Sequence, residues 1–187
     1  PSITEFSTKE TMGLSADKLS ELWGVSRKEQ DEFAYRSHKN ASHASKNNLL
    51  DDVLITINDS NDIVDEDNII KHDTSIVKLK KLNPAFRKNN GTITPGNASS
   101  LTDGASACLI SNEEYIKKYN LKPKSEIIDY IYTGTNPKNE LLLGPAYSIA
   151  KILERNNLTL NDFDIFEIHE AFAGQVLANL NALNSDK

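Results

Sequence analysis

Residues 164–183 read DIFEIHEAFAGQVLANLNAL, and the period of the apolar residues changes in the middle of that stretch. Residues 164–168 (DIFEI) are short and rich in strand formers, which predicts a strand. Residues 171–183 place apolar side chains at helical spacing, which predicts a helix. His169 and Glu170 stand at the joint. The same alternation recurs on working outward. Residues 105–110 (ASACLI) predict a buried strand. Ser111-Asn112-Glu113-Glu114 is a capping-box pattern that opens a helix to about Tyr119. Residues 126–133 predict a strand, 136–145 a loop, and 147–155 a helix with Pro145 near its first turn. Strands that alternate with helices predict an α/β fold in which a sheet is covered by helices.

The first half is richer in helix. Ala16, Leu19, Leu22 and Trp23 predict a helix over 15–23, with Ser15 as N-cap and Gly24 ending it. Ser26-Arg27-Lys28-Glu29 is a second capping box and predicts a longer helix to Lys46. Residues 53–57 (VLITI) predict a strand, 58–67 an acidic turn region, and 69–86 a loop-rich excursion with a short helical piece, interrupted by Pro84. Residues 91–104 (GTITPGNASSLTDG) contain three of the eight glycines and suit irregular backbone close to a ligand.

A chain of 187 residues can bury one good core or two small lobes sharing one, and 38% hydrophobic with 26% charged residues excludes neither enzyme nor binding module. The net charge of −6 gives no electrostatic reason to expect nucleic acid. Lys78, Lys80, Lys81, Arg87 and Lys88 form one basic patch, which is either a solvated face or a seat for an anion. Cys108, the single cysteine, has no internal partner for a disulfide, and its apolar neighbours predict a buried structural thiol rather than a nucleophile. No apolar run approaches the length of a transmembrane span, and residues 1–9 lack a signal-peptide core. The missing initiator Met and the abrupt end at Lys187 lead us to expect an internal piece of a longer protein.

The densest polar site candidate is His169-Glu170. A histidine at a strand-to-helix joint can donate to a developing oxyanion, or merely cap the two elements. Glu170 can act as a general base or complement the positive end of the following helix. Ser99 and Ser100 can contact a ligand or satisfy their own turn. His38, His43 and His72 show no metal-ligand grouping, so no metal site is expected. The glycine-rich loop has neither the Gly-x-Gly-x-x-Gly spacing nor a Gly-Lys-Ser/Thr ending, so it is not a nucleotide cradle of those kinds.

Four ordered segments together resemble the thiolase family: MGLSADKL with SRKEQDEFAYRSH (12–19 and 26–38), LNPAF with GTITPGNASSLTDGASA (82–86 and 91–107), LLLGP (141–145), and EIHEAFA (167–173). His169, where most thiolases resemble one another in having Asn, is similar to the thiolases of multienzyme β-oxidation complexes. TEFSTKETMG (4–13) leans toward the β-subunit of the mitochondrial trifunctional type. The resemblance implies a partial thiolase-like α/β fold of layered helices and sheet. Residues 1–104 would be the loop domain, on the coenzyme A side, with its return into the core. Residues 105–187 would be the first part of the C-terminal domain.

It also implies a 3-ketoacyl-CoA thiolase that cleaves 3-ketoacyl-CoA with coenzyme A to acetyl-CoA and a shortened acyl-CoA. Coenzyme A is then a substrate, and no cofactor is held covalently. His169 takes the oxyanion-hole position; Ser99 and Leu101 lie in the coenzyme A loop, Phe172 near the acyl end, and Met12 by the acyl channel. The nucleophilic cysteine of the family belongs upstream of this region, and its catalytic histidine and second cysteine downstream. This chain alone is therefore expected to be inactive. Expected partners are acyl-CoA, further copies in a homodimer or larger oligomer, and a hydratase/dehydrogenase α-subunit. The expected location is mitochondrial in a eukaryote and cytoplasmic otherwise. Two rival readings are a non-catalytic coenzyme A-binding or assembly module and a biosynthetic acetoacetyl-CoA thiolase.

Overall fold

The computed structural model describes residues 4–59 and 62–184. Among the described residues six α-helices are formed: α1 (Met12–Leu22), α2 (Arg27–Lys46), α3 (Ile76–Lys80), α4 (Glu113–Tyr119), α5 (Gly144–Asn156) and α6 (Ala173–Ala182). Two short strands, β1 (Ile57–Asp59) and β2 (Asp62–Val64), pair antiparallel with Ile57 opposite Val64.

α2 starts where its sequence says it should. The Ser26 side chain accepts from the Glu29 backbone N–H, and Glu29 returns the bond to the Ser26 N–H at 2.9 Å. α1 begins earlier than the spacing predicts, because Thr11 rather than Ser15 caps it. Ser15 is instead buried inside the helix. Gly24, at φ 64°, ends the turn after α1 in the left-handed region that glycine enters freely. Asn112, not Ser111, caps α4 by accepting from the Tyr115 N–H at 2.8 Å. α5 starts at Gly144, with Pro145 in its first turn, where a missing N–H costs nothing.

α6 is the centre of the packing. Every residue from Ala173 to Asn179 is buried, so it has no solvent face over two turns, and it lies against α1, α2 and α5. Leu19, Val25, Leu143, Ala146, Leu177 and Ala178 form the main core, with Trp23 and Phe33 at its margin. Close approach of α1 to α6 requires Gly174, where an added Cβ would lie 2.1 Å from Ser20 Oγ.

The predicted strands fare differently. Of 53–57 only Ile57 enters a ladder, the rest being turn and irregular backbone. Residues 105–110, 126–133 and 164–168 are irregular and carry no ladder, and their apolar side chains are exposed: Leu109, Ile127, Ile128, Tyr132 and Ile165 are all two-thirds exposed or more. A strand is completed only by a neighbouring backbone, and none of these three segments meets one among the described residues. Cys108 is accordingly exposed rather than buried. The layer of helices predicted by the sequence is therefore present, while the only paired sheet among the described residues is the 57–64 hairpin.

Candidate active site

The loop at 91–100 is held by buried polar side chains rather than by regular structure. Asp17, on α1, accepts from the Thr92 N–H at 2.7 Å and the Ile93 N–H at 3.0 Å. Asn97 folds the loop on itself, accepting from the Thr94 N–H at 2.8 Å and donating to the Thr92 carbonyl at 3.0 Å. The same Asn97 amide donates to Asp31 of α2, whose carboxylate also takes both bonds of the Arg27 Nε at 2.9 Å. Arg27 in turn donates to the Leu79 carbonyl, which ties α3 to the same network. Asp17, Asp31 and Asn97 are each no more than 3% exposed, so these bonds act away from water, where an unmet partner is costly.

So fixed, the loop pairs with the segment that follows His169. Ala98 and Phe172 form an isolated antiparallel bridge, the Ser99 N–H donating to the Ala171 carbonyl at 2.8 Å and the Ala173 N–H to the Asn97 carbonyl at 2.9 Å. The two candidate sites of the sequence, the Gly/Ser loop and the strand-to-helix histidine, are thus one site. Both border a cavity of about 470 Å3 whose wall includes Phe33, Ser37 and His38 of α2, Lys71, Ser99, and His169 with Glu170.

Glu170 is exposed but does not cap α6. Its carboxylate accepts from Ser37 Oγ at 2.6 Å, latching the His169 joint to α2. The α6 N-cap is Phe172, with no side-chain bond. His38 accepts the Lys71 backbone N–H on Nδ1 at 3.3 Å, a bond that suits the neutral ring. Burial, then the nearby Lys71 ammonium, lower the His38 pKa below its ordinary value, with Glu170 opposing them.

The five residues singled out by the sequence divide into three groups. His169 and Ser99 line the cavity. Met12 and Phe172 come together in a separate apolar cluster with Ala16 and Ile93; Ala98 packs against this cluster and also lines the cavity. Phe86 closes over them, its ring 6.1 Å from that of Phe172 and edge-on to it. Leu101 stands apart, 91% exposed and away from the cavity. The basic patch is also divided. Lys78 borders the cavity but is paired to Asp73 at 2.5 Å, and Arg87 is paired to Glu21 at 2.6 Å. Ser37, His38 and Lys71 were not singled out as cavity residues by the sequence. The contact that defines Ser37 is with a residue 133 positions away, and no local pattern signals it.

Comparison with known proteins gives the site a context. Residues 1–114 match the family described as thiolase, N-terminal domain, and residues 121–187 that described as thiolase, C-terminal domain. The chain is 55% identical to a probable 3-ketoacyl-CoA thiolase of Caenorhabditis elegans, covering 100% of this chain and 42% of that protein. It is 50% identical to the human mitochondrial trifunctional enzyme subunit beta, of which it covers 39%. Among solved structures, the Bacillus anthracis acetyl-CoA acetyltransferase superposes at a TM-score of 0.86 with 38% identity, over 98% of this chain and 47% of that one. Human mitochondrial 3-ketoacyl-CoA thiolase gives the same TM-score at 31% identity, over 98% and 46%. The chain spans about two fifths of the length of the curated relatives it matches.

Proposed function

This chain belongs to the thiolase family, and we propose that it forms the coenzyme A side and one oxyanion-hole position of a 3-ketoacyl-CoA thiolase of fatty-acid β-oxidation. In this reading the whole enzyme cleaves 3-ketoacyl-CoA with coenzyme A, releasing acetyl-CoA and a shortened acyl-CoA. The observation that carries it is the bridge between 97–99 and 171–173, which puts the Gly/Ser loop and His169 on one cavity.

His169 supplies a hydrogen-bond donor to the thioester oxygen as negative charge develops there. Such a donor works best when it is held in place beforehand, because nothing need reorganise as the charge appears. The neighbours of His169 fit that demand: Glu170 is anchored to Ser37 of α2, and the Ala171 carbonyl is anchored to the Ser99 N–H. The pantetheine arm lies along Ser99, and the acyl chain lies toward Phe172 and Met12, whose shared apolar cluster suits it. Leu101, far more exposed, contacts coenzyme A only in the complete enzyme. Residues 1–104 act as the loop domain and 105–187 as the first part of the C-terminal domain.

Within a eukaryotic cell the protein works in mitochondria, as an oligomer and beside a hydratase/dehydrogenase α-subunit. The names of its relatives at 50–55% identity support this subgroup. No helix among the described residues is long and apolar enough to cross a membrane. The nucleophilic cysteine, the second cysteine and the catalytic histidine lie in other parts of the enzyme, so the 187 residues alone do not turn over.

The test is His169→Ala in the full-length enzyme. Loss of one oxyanion donor is expected to lower kcat by about 10²–10³ with little change in KM. A tenfold rise in KM at unchanged kcat would contradict the assignment. A biosynthetic acetoacetyl-CoA thiolase is the second reading, favoured by the likeness to the Bacillus anthracis acetyltransferase. Comparing long with short 3-ketoacyl-CoA substrates separates the two, since activity confined to acetoacetyl-CoA supports the second.

A further inference from the structure

Negative charge is concentrated at one end of α2, where the chain leaves the helix for the β1–β2 hairpin. Residues 51–67 contain seven Asp or Glu and no Lys or Arg, a formal charge of −7 in a chain whose total is −6, so everything outside the segment sums to +1. Asp51, Asp65, Glu66 and Asp67 line a groove of about 320 Å3, whose apolar lining includes Leu50, Leu54 and Ile70. None of these four carboxylates enters an ion pair among the described residues. Alongside them, Val53, Leu54, Ile55, Ile57, Ile63 and Val64 are between 51% and 86% exposed.

A surface built this way is unfavourable on both counts when left uncovered. Clustered like charges repel, and contiguous exposed aliphatic side chains are the mark of an interaction face. The two features also select the same kind of partner. Apolar anchors seat on the aliphatic residues, while cationic groups set beside the carboxylates gain by both steering and contact. A second copy of this chain is a weaker match, because its charges outside the segment nearly cancel and its basic patch already pairs Lys78 with Asp73 and Arg87 with Glu21. An anionic membrane is repelled by the same seven carboxylates.

We propose that the hairpin and its groove are a docking surface for a basic amphipathic segment of a partner protein. Such a segment sets Leu, Ile or Phe on Leu54, Ile57 and Val64, and Lys or Arg beside Asp51, Asp65, Glu66 and Asp67.

Two synthetic amphipathic helical peptides test this by calorimetric titration against the full-length enzyme. They share their Leu positions, and one carries Lys and the other Glu on its polar face. The Lys peptide is expected to bind and the Glu peptide not to, with affinity falling as salt rises. Ile57→Ser with Val64→Ser, and separately Asp65→Asn with Glu66→Gln and Asp67→Asn, are each expected to weaken binding about tenfold or more. Glu113→Gln with Glu114→Gln on α4 serves as the acidic control and is expected to leave binding unchanged. Circular dichroism confirms that each variant folds. Binding that survives both hairpin variants overturns the proposal, as does no binding of the Lys peptide at about 1 mM. Hairpin-dependent self-association of the chain in sedimentation also overturns it, in favour of a second copy.

Discussion

Asn97 donates its side-chain amide to the Asp31 carboxylate at 3.0 Å, joining the ligand-facing loop to α2 across 66 residues of chain. Both residues are buried, and the bond has few substitutes. Among the described residues Asp31 has Arg27 as its only charged partner, and Asn97 is the residue that also closes the loop on Thr92 and Thr94. The loop therefore takes its shape from the helix it packs on.

Asn97→Ala should destabilise the chain by about 1–3 kcal/mol, because it strands buried groups that have lost their partner. Asn97→Asp should be worse, since it sets a second carboxylate against Asp31. Urea unfolding followed by circular dichroism checks both, with the midpoint expected to fall and the slope to stay constant.

Gly174→Ala places a methyl group 2.1 Å from Ser20 Oγ and 3.0 Å from Gln30 Oε1. Overpacking of this kind costs about 1–3 kcal/mol. Ser20→Ala removes the nearer atom, so the double variant should lose less than the sum of the two singles. Additive losses in a double-mutant cycle would show that α1 and α6 have moved apart instead.

His38 should make the chain acid-sensitive. Burial and Lys71 hold its folded pKa below the ordinary 6.5, so the unfolded chain takes up the proton first. The stability that depends on neutral His38 is then fully present above about pH 6.5 and declines as the pH falls through that value toward the lower folded pKa. Unfolding midpoints measured from pH 7.5 to about pH 5 should fall, and His38→Asn should flatten that profile. Imidazole proton shifts in NMR titration should place the His38 pKa below the ordinary 6.5. A profile rising toward acid would contradict the sign.

Ser37→Ala in the full-length enzyme releases Glu170 from α2 and with it one restraint on His169. Turnover is expected to fall about tenfold, a loss typical of a misplaced group rather than a missing one, with KM nearly unchanged. Ser37→Thr keeps the hydroxyl and should restore most of it. Equal losses in both variants would point to packing rather than to the hydrogen bond.

What could be read in the sequence follows the range of the forces involved. The Ser26/Glu29 capping box is a local exchange of two hydrogen bonds, and α2 begins there. The Thr11 cap that starts α1 is followed by Gly13, a poor helix former that disguises the start and is explained only by the distant Phe86 ring, 2.2 Å from where its Cβ would be. The segments at 105–110, 126–133 and 164–168 have strand composition, but pairing belongs to a neighbour and not to the segment. The same limit applies to the site. The loop around Ser99 and the joint at His169 each stood out alone, whereas the bridge that unites them, and the burial of Asp17, Asp31 and Asn97, have no local sign. In a sequence, buried aspartates and asparagines look like surface residues.

The Ser37–Glu170 contact also sets a schedule. Its two ends are 133 residues apart, so a ribosome working from the N-terminus finishes α2 long before His169 exists. At about 5–20 residues per second, the cavity wall waits roughly 7 to 27 seconds for the residues that complete it. During synthesis α2 is thus an amphipathic helix awaiting its partner, and the candidate active site is among the last parts of these 187 residues to assemble.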